Sequence, residues 1–107
     1  MNYLLQRRQA LVQNLKKTAA EAFLVTNPVN VTYLTNFTGD SSFYFGGAKN
    51  SIVISDTRFE EQIKEECAGL DAHIRNHNKT TYEAAAEVLN KAGVKSVAVE
   101  EDGLTLG

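Results

Sequence analysis

Leu4, Leu5, Leu11, Val12 and Leu15 recur at helical spacing, with Gln6, Gln9, Gln13 and Asn14 on the opposite side, a pattern that predicts an amphipathic helix at the start of the chain. Lys16 and Lys17 near its end suit the negative pole of the helix dipole. Ala22 to Val25 is fully apolar and short, the mark of a buried strand. Pro28 disfavours helix at Asn27, so the chain turns there, and because proline is tolerated in a first turn, Val29 to Leu34 reads as a short helix. Ser42 to Phe45 and Ser51 to Ile54 flank Gly46-Gly47-Ala48-Lys49-Asn50, which predicts a hairpin around a glycine loop.

In the second half the period is again helical. Thr57 and Glu60 are spaced as a capping box, Phe59, Ile63 and Cys67 share a face, and Gly69 is placed to end the helix. Ala72 to Arg75 is a brief strand. Thr80 and Glu83 form a second capping box for a helix with a stripe of Ala85, Val88, Leu89 and Ala92, stopped by Gly93. Val94 to Glu100 is the last strand, with Val97 and Val99 facing one way. Strands that alternate with helices pair in parallel through right-handed crossovers, and the hairpin adds an antiparallel member. The predicted architecture is a three-layer α/β/α domain over residues 1–107, with a mixed sheet of five strands or slightly more. The segment Asp102 to Gly107 follows the last strand without a closing element and reads as the beginning of something longer.

Size and charge narrow the function. A chain of 107 residues buries roughly 65% of its unfolded surface in one core. A net charge of −2 and a pI near 5.6 provide no concentrated basic face for nucleic acid. Arg7-Arg8 and Lys16-Lys17 read as a solvated helix face. No apolar run approaches the ~20 residues of a membrane span, and no secretory leader opens the chain. The single cysteine, Cys67, fits a reducing cytoplasm, where the Asn-x-Thr triplets at Asn30, Asn36 and Asn78 are chance matches.

Few residues suggest chemistry. His73 and His77 are four apart but fall on a strand running into a loop, without a third ligand nearby. Cys67 lies on an apolar stripe beside Glu65 and Glu66, the setting of a small core residue rather than a nucleophile. Glu60, Glu61, Glu65 and Glu66 flank a helix whose other face is apolar and read as solvated. Glu100-Glu101-Asp102 ends a strand as metal-binding acids do, yet a nuclease of the ribonuclease H type needs carboxylates on several strands, and Ala22 to Val25 offers none. Asp40 and Ser41 lack the strained elbow and oxyanion hole of a hydrolytic triad, and Gly46-Gly47 lacks the spacing of a phosphate loop.

Two segments are more specific. Leu24 to Gly39 (Leu-Val-Thr-Asn-Pro-Val-Asn-Val-Thr-Tyr-Leu-Thr-Asn-Phe-Thr-Gly) and Ile54 to Gln62 (Ile-Ser-Asp-Thr-Arg-Phe-Glu-Glu-Gln), in this order and spacing, resemble the N-terminal domain of the creatinase, prolidase and aminopeptidase P family. The resemblance covers nearly the whole chain and implies a ribonuclease H-like fold. It implies the non-catalytic N-terminal domain of a cytoplasmic Xaa-Pro dipeptidase or aminopeptidase. The catalytic "pita-bread" domain, with its two divalent metal ions, would follow and is absent from this chain, which would itself hold no cofactor and be inactive. The implied partners are a second copy, in a homo-oligomer such as a dimer, and short proline-containing peptides; neither nucleic acid nor membrane is implied. In the family the Tyr-Leu-Thr-x-Phe loop lies at a subunit interface and reaches toward a partner's site. The matching candidates for interface and substrate access are Tyr33, Asn36, Phe37 and Asp40, with Asn36 where glycine is frequent, a departure that left-handed backbone tolerates. Arg58 joins them as a forked donor for a carboxylate across an interface, against a structural pairing with Asp56. The alternatives are a free-standing homo-oligomerising interaction domain and the N-terminal domain of a creatinase-type enzyme.

Overall fold

The computed structural model describes residues 3–39, 41–47, 50–67 and 69–99. Helix α1 (Tyr3–Leu15) leads to strand β1 (Ala22–Val25) and helix α2 (Pro28–Thr35). Strands β2 (Phe43–Gly47) and β3 (Ser51–Ser55) follow, then a 3-10 turn (Thr57–Phe59) continuous with helix α3 (Glu60–Glu66). Strand β4 (Asp71–Ile74), helix α4 (Thr81–Ala92) and strand β5 (Val97–Val99) complete the order. The five strands make one sheet in the order β4-β3-β2-β1-β5. β2 is antiparallel to both neighbours, whereas β1 with β5 and β3 with β4 are parallel.

Strand alternation divides the core in two. Phe23, Val25, Tyr44 and Val53 point to one face and pack under α1, α2 and α3 through Leu11, Leu15, Val31, Leu34 and Ile63. Leu24, Phe43, Phe45 and Ile54 point to the other face, under Ala84, Ala85 and Val88 of α4. The expected three layers and mixed sheet are therefore present, and Val97 and Val99 share the α4 face while Ala98 takes the other.

Local chemistry sets the helix ends. Asn27 caps α2 by accepting a hydrogen bond from Val29 N at 2.9 Å, with Pro28 in the first turn. α4 has the full capping box of Thr80 and Glu83 and stops at Gly93, whose φ is 69°. α2 ends at Asn36 with φ 66°, the left-handed conformation allowed for asparagine. Asn36→Gly should therefore change stability by only a few tenths of a kcal/mol, whereas Asn36→Val should cost about 1–2 kcal/mol. Urea melts of the two variants would check this, and an equal loss in both would refute it.

Several expectations need correction. Thr57 does not cap the third helix; Asp56 caps the 3-10 turn instead, because its extended backbone aims its carboxylate at Arg58 N. Gly46 and Gly47 belong to β2 rather than to the loop. α1 stops at Leu15, so Lys16 and Lys17 lie in the turn beyond it. Ala92 is exposed, and Ala84 takes its place in the buried stripe. The acidic run Glu100-Glu101-Asp102 and the segment to Gly107 fall outside the described residues.

Candidate functional site

β1 and β3 end where β2 begins, as the register Val25↔Tyr44 and Phe43↔Ile54 requires. The loop between α2 and β2, the Asp56 corner and the end of β4 therefore gather at one edge of the sheet. Ends of parallel strands are where ligands meet open α/β sheets.

Side chains pin this loop along its length. Thr32 Oγ1 donates to Phe37 O at 2.8 Å, and Phe37 N donates to Thr35 Oγ1 at 3.1 Å. Gln62 Nε2 on α3 donates to Thr38 Oγ1 at 3.1 Å, and Thr81 Oγ1 on α4 donates to Ser41 O at 3.0 Å. Ser42 and Ser55 share a buried hydroxyl contact of 2.7 Å. The loop is thus tied to three helices and to β3.

The candidates separate by burial. Phe37 is 0% exposed, with its ring edge-on to Phe59 at 5.4 Å between centroids. Its side chain is core and presents no surface to a substrate, because Thr32 and Thr35 turn the backbone inward at this point. A Cβ at Gly39 would lie 2.3 Å from Phe37 Cζ and 2.9 Å from Phe59 Cδ1, so only glycine fits over the two rings. Tyr33 is 39% exposed and Asn36 is exposed, and both form a rim beside Thr38. Asp40 lies outside the described residues.

A pair of residues that the sequence placed on a solvated face supports this rim. The Arg7 guanidinium lies 4.3 Å over the Tyr33 ring and donates to Tyr33 O at 3.0 Å, while Arg8 donates to Leu34 O at 2.8 Å. Both satisfy carbonyls that the last turn of α2 leaves without helical partners, where the helix dipole also favours a cation. Their partners are 26 residues away, which no local pattern reveals.

Arg58 pairs with its neighbour. Its Nε and Nη2 bond Asp56 Oδ1 and Oδ2 at 3.0 and 2.9 Å, and its backbone N donates to Oδ1 at 3.0 Å. Arg75 Nη2 approaches the same carboxylate at 3.5 Å. The Arg58 hydrogen bonds hold the Asp56 carboxyl below the usual carboxylate range, against an opposing effect of burial. A depressed folded-state pKa means that this stabilisation is complete above the unfolded value of about 3.9 and is lost as pH falls through the folded value. Wild-type stability should hold down to about pH 5 and fall at more acid pH. Asp56→Asn should be less stable at neutral pH and lose less on acidification. Urea midpoints against pH test this, and parallel curves for the two proteins would refute it.

The remaining candidates disperse. His73 Nε2 lies 3.6 Å from Glu87 Oε2, Lys79 contacts the same glutamate, and His77 is exposed. Cys67 is buried, and burial pushes its thiol pKa up, so it is a core residue. Glu60 and Glu61 face Lys64, and Glu66 faces Gln62. Among the described residues no three His, Cys, Asp or Glu converge as metal ligands. At this end of the sheet Tyr33, Asn36 and Thr38 are the exposed residues of the pinned loop.

The sequence profile of the creatinase/prolidase N-terminal domain matches residues 7–107. The uncharacterized peptidase YqhT of Bacillus subtilis (strain 168) is 28% identical over 87 residues, covering 81% of this chain and 24% of that protein, so the chain spans about a quarter of that relative's length. An Xaa-Pro aminopeptidase from Streptococcus pyogenes superposes with a TM-score of 0.78 at 27% identity, over 91% of this chain and 73% of that one. The N-terminal domain of the cytoplasmic peptidase PepQ from Mycobacterium tuberculosis H37Rv shares the fold, with a TM-score of 0.80 at 21% identity, over 94% of this chain and 77% of that one. The pinned loop after α2, the Asp56–Arg58 corner and the five-stranded sheet thus occur in a chain that belongs to the creatinase/prolidase N-terminal domain family.

Proposed function

We propose that this chain is the non-catalytic N-terminal domain of a cytoplasmic, metal-dependent Xaa-Pro peptidase, where it supplies oligomer contacts and a wall that limits access to short proline-containing peptides. The observation that carries this reading is the loop after α2, held by hydrogen bonds from α2, α3 and α4 while Tyr33, Asn36 and Thr38 stay at its surface. A wall that selects by shape needs such fixed geometry. Val29, exposed one turn before Tyr33 on α2, adds apolar surface for a contact with a second copy. The described residues do not fit a two-metal site, so the two divalent ions of such a peptidase would be held by a separate catalytic domain. No helix among the described residues is long and apolar enough to cross a membrane.

The test is kinetic and uses the complete parent enzyme. Tyr33→Ala and Asn36→Ala should raise KM for Ala-Pro or Ala-Pro-Ala while metal content stays normal. The loss of one aligned contact is worth ~1–3 kcal/mol, or about 5- to 150-fold in kcat/KM. Arg58→Lys keeps the charge but breaks the fork on Asp56, so a loss of stability with unchanged kinetics would confine Arg58 to structure. Silent kinetics in all three variants would remove the substrate-wall role.

A further inference from the structure

A second concave surface of the domain lies away from the exposed residues of this rim. It is an open groove of about 710 Å3 between α1 and the hairpin end of β2 and β3, a size typical of small-molecule sites. Leu5, Arg8 and Val12 line its helical wall, Tyr44 and Ser51 lie on the sheet side, and Asp71 stands at the rim. The register places Tyr44 opposite Val53 and Ser51 opposite Gly46, on the sheet face that α1 covers. Tyr44 Oη and Ser51 Oγ meet at 2.6 Å, forming a hydroxyl pair beside the groove.

Arg8 is the notable member. Its guanidinium is half-buried and donates through Nη1 to Leu34 O, yet no carboxylate among the described residues lies within ion-pair distance of it. Arg8 lines the groove from its helical wall, opposite Tyr44 and Ser51 on the sheet side. The end of α2 offsets about half of its charge. A half-buried cation and a hydroxyl pair lining one open volume favour an anion. Leu5 is 45% exposed and Val12 half-buried, so the same wall offers apolar surface to the body of a ligand. The acidic Asp71 disfavours a dianion such as phosphate.

We propose that the groove between α1 and the β2–β3 hairpin binds a small organic carboxylate with an apolar body. The carboxylate sits on Arg8 and on the half-buried Ser51 hydroxyl, which the buried Tyr44 Oη backs at 2.6 Å, and the body lies along Leu5 and Val12. This site shares Arg8 with the support of the rim but takes its ligand elsewhere and needs no catalytic domain.

The experiment is an NMR titration of the 107-residue chain with N-acetyl-leucine, with N-acetyl-leucinamide and inorganic phosphate as controls. Saturable shifts should appear at Arg8, Tyr44 and Ser51, with the amide weaker by about tenfold or more. Acetyl-Gly-Gly-Leu tells the sources apart: tighter binding than N-acetyl-leucine assigns the site to a peptide C terminus, and weaker binding assigns it to a free acid. Arg8→Met should abolish the preference for acid over amide. Because Arg8 also holds the Leu34 carbonyl, a second variant is needed, and Gln13→Trp fills the groove from an exposed position on α1 with the same expected loss. Absence of saturable shifts, equal affinity for acid and amide, preferred binding of phosphate, or unchanged binding in the folded variants would overturn the proposal.

Discussion

Phe37→Ala should cost the domain about 3–5 kcal/mol, the range for emptying a fully buried aromatic site. The ring has no exposed surface, packs edge-on to Phe59, and fits under a glycine that permits no side chain above it. The backbone on either side is held by Thr32 and Thr35, so the loop cannot collapse into the space. Domains of this size have about 5–15 kcal/mol in total, so one truncation removes a large share. The melting temperature should drop by more than ~10 °C. Tyr33→Ala, four residues earlier and with its ring outside, should lose about 1 kcal/mol or less, the contribution of an exposed cation–π contact. Thermal and urea melts of the two variants give the answer. Similar losses in both would mean that Phe37 is not the anchor of the loop.

Gly46→Val should be more damaging still, and here local preference and packing predict opposite signs. Valine favours strands, and by propensity alone it would stabilise β2 by up to ~1 kcal/mol over a poor strand former. A Cβ at Gly46, however, would stand 2.5 Å from Phe23 Cζ and 3.0 Å from Tyr44 Cε2. Phe23 is fully buried, and its ring lies 5.7 Å from that of Tyr44, so neither can step aside without unpacking the α1 face. Overpacking of this kind costs typically 1–3 kcal/mol for an added methyl, and the two further methyls of valine add to it. Gly46→Ala should fold with a lower urea midpoint, and Gly46→Val should fail to give a cooperative transition. A valine variant as stable as wild type would show that Phe23 has another rotamer available and that the close approach is not binding.

Where the sequence was informative, the determining forces were local. The α4 capping box of Thr80 and Glu83, the stop at Gly93, the turn at Asn27-Pro28 and the left-handed Asn36 all depend on residues within four positions of one another. The fully apolar run Ala22–Val25 announced a strand covered on both faces, as it is. What stayed illegible depends on contacts across the fold. Arg7 and Arg8 read as solvated because nothing nearby marks their carbonyl partners on α2. Phe37 and Tyr33 are both aromatics in one short motif, and only the turn at Thr35 and Asn36 sends one inward and leaves the other outside. Gly46 looked like part of a loop because the ring that most closely occupies its side-chain space comes from Phe23 on the neighbouring strand.

The order of the strands has a consequence for how the native state opens. β1, β2, β3 and β4 lie side by side in the order they are made, so each pairs with a sequence neighbour. β5 alone comes from far along the chain: Glu21 N donates to Ser96 Oγ across 75 positions, and Lys95 N donates to Glu21 Oε1. Loop closure of that span is the slowest pairing to form and the first to be given up. Amide exchange should therefore be fastest in β5 and slowest in β2 and β3. When β5 leaves, it bares the outer edge of β1, whose complement on a neighbouring molecule is another β5. Exchange of this one strand between copies is the built-in hazard of the topology at high protein concentration.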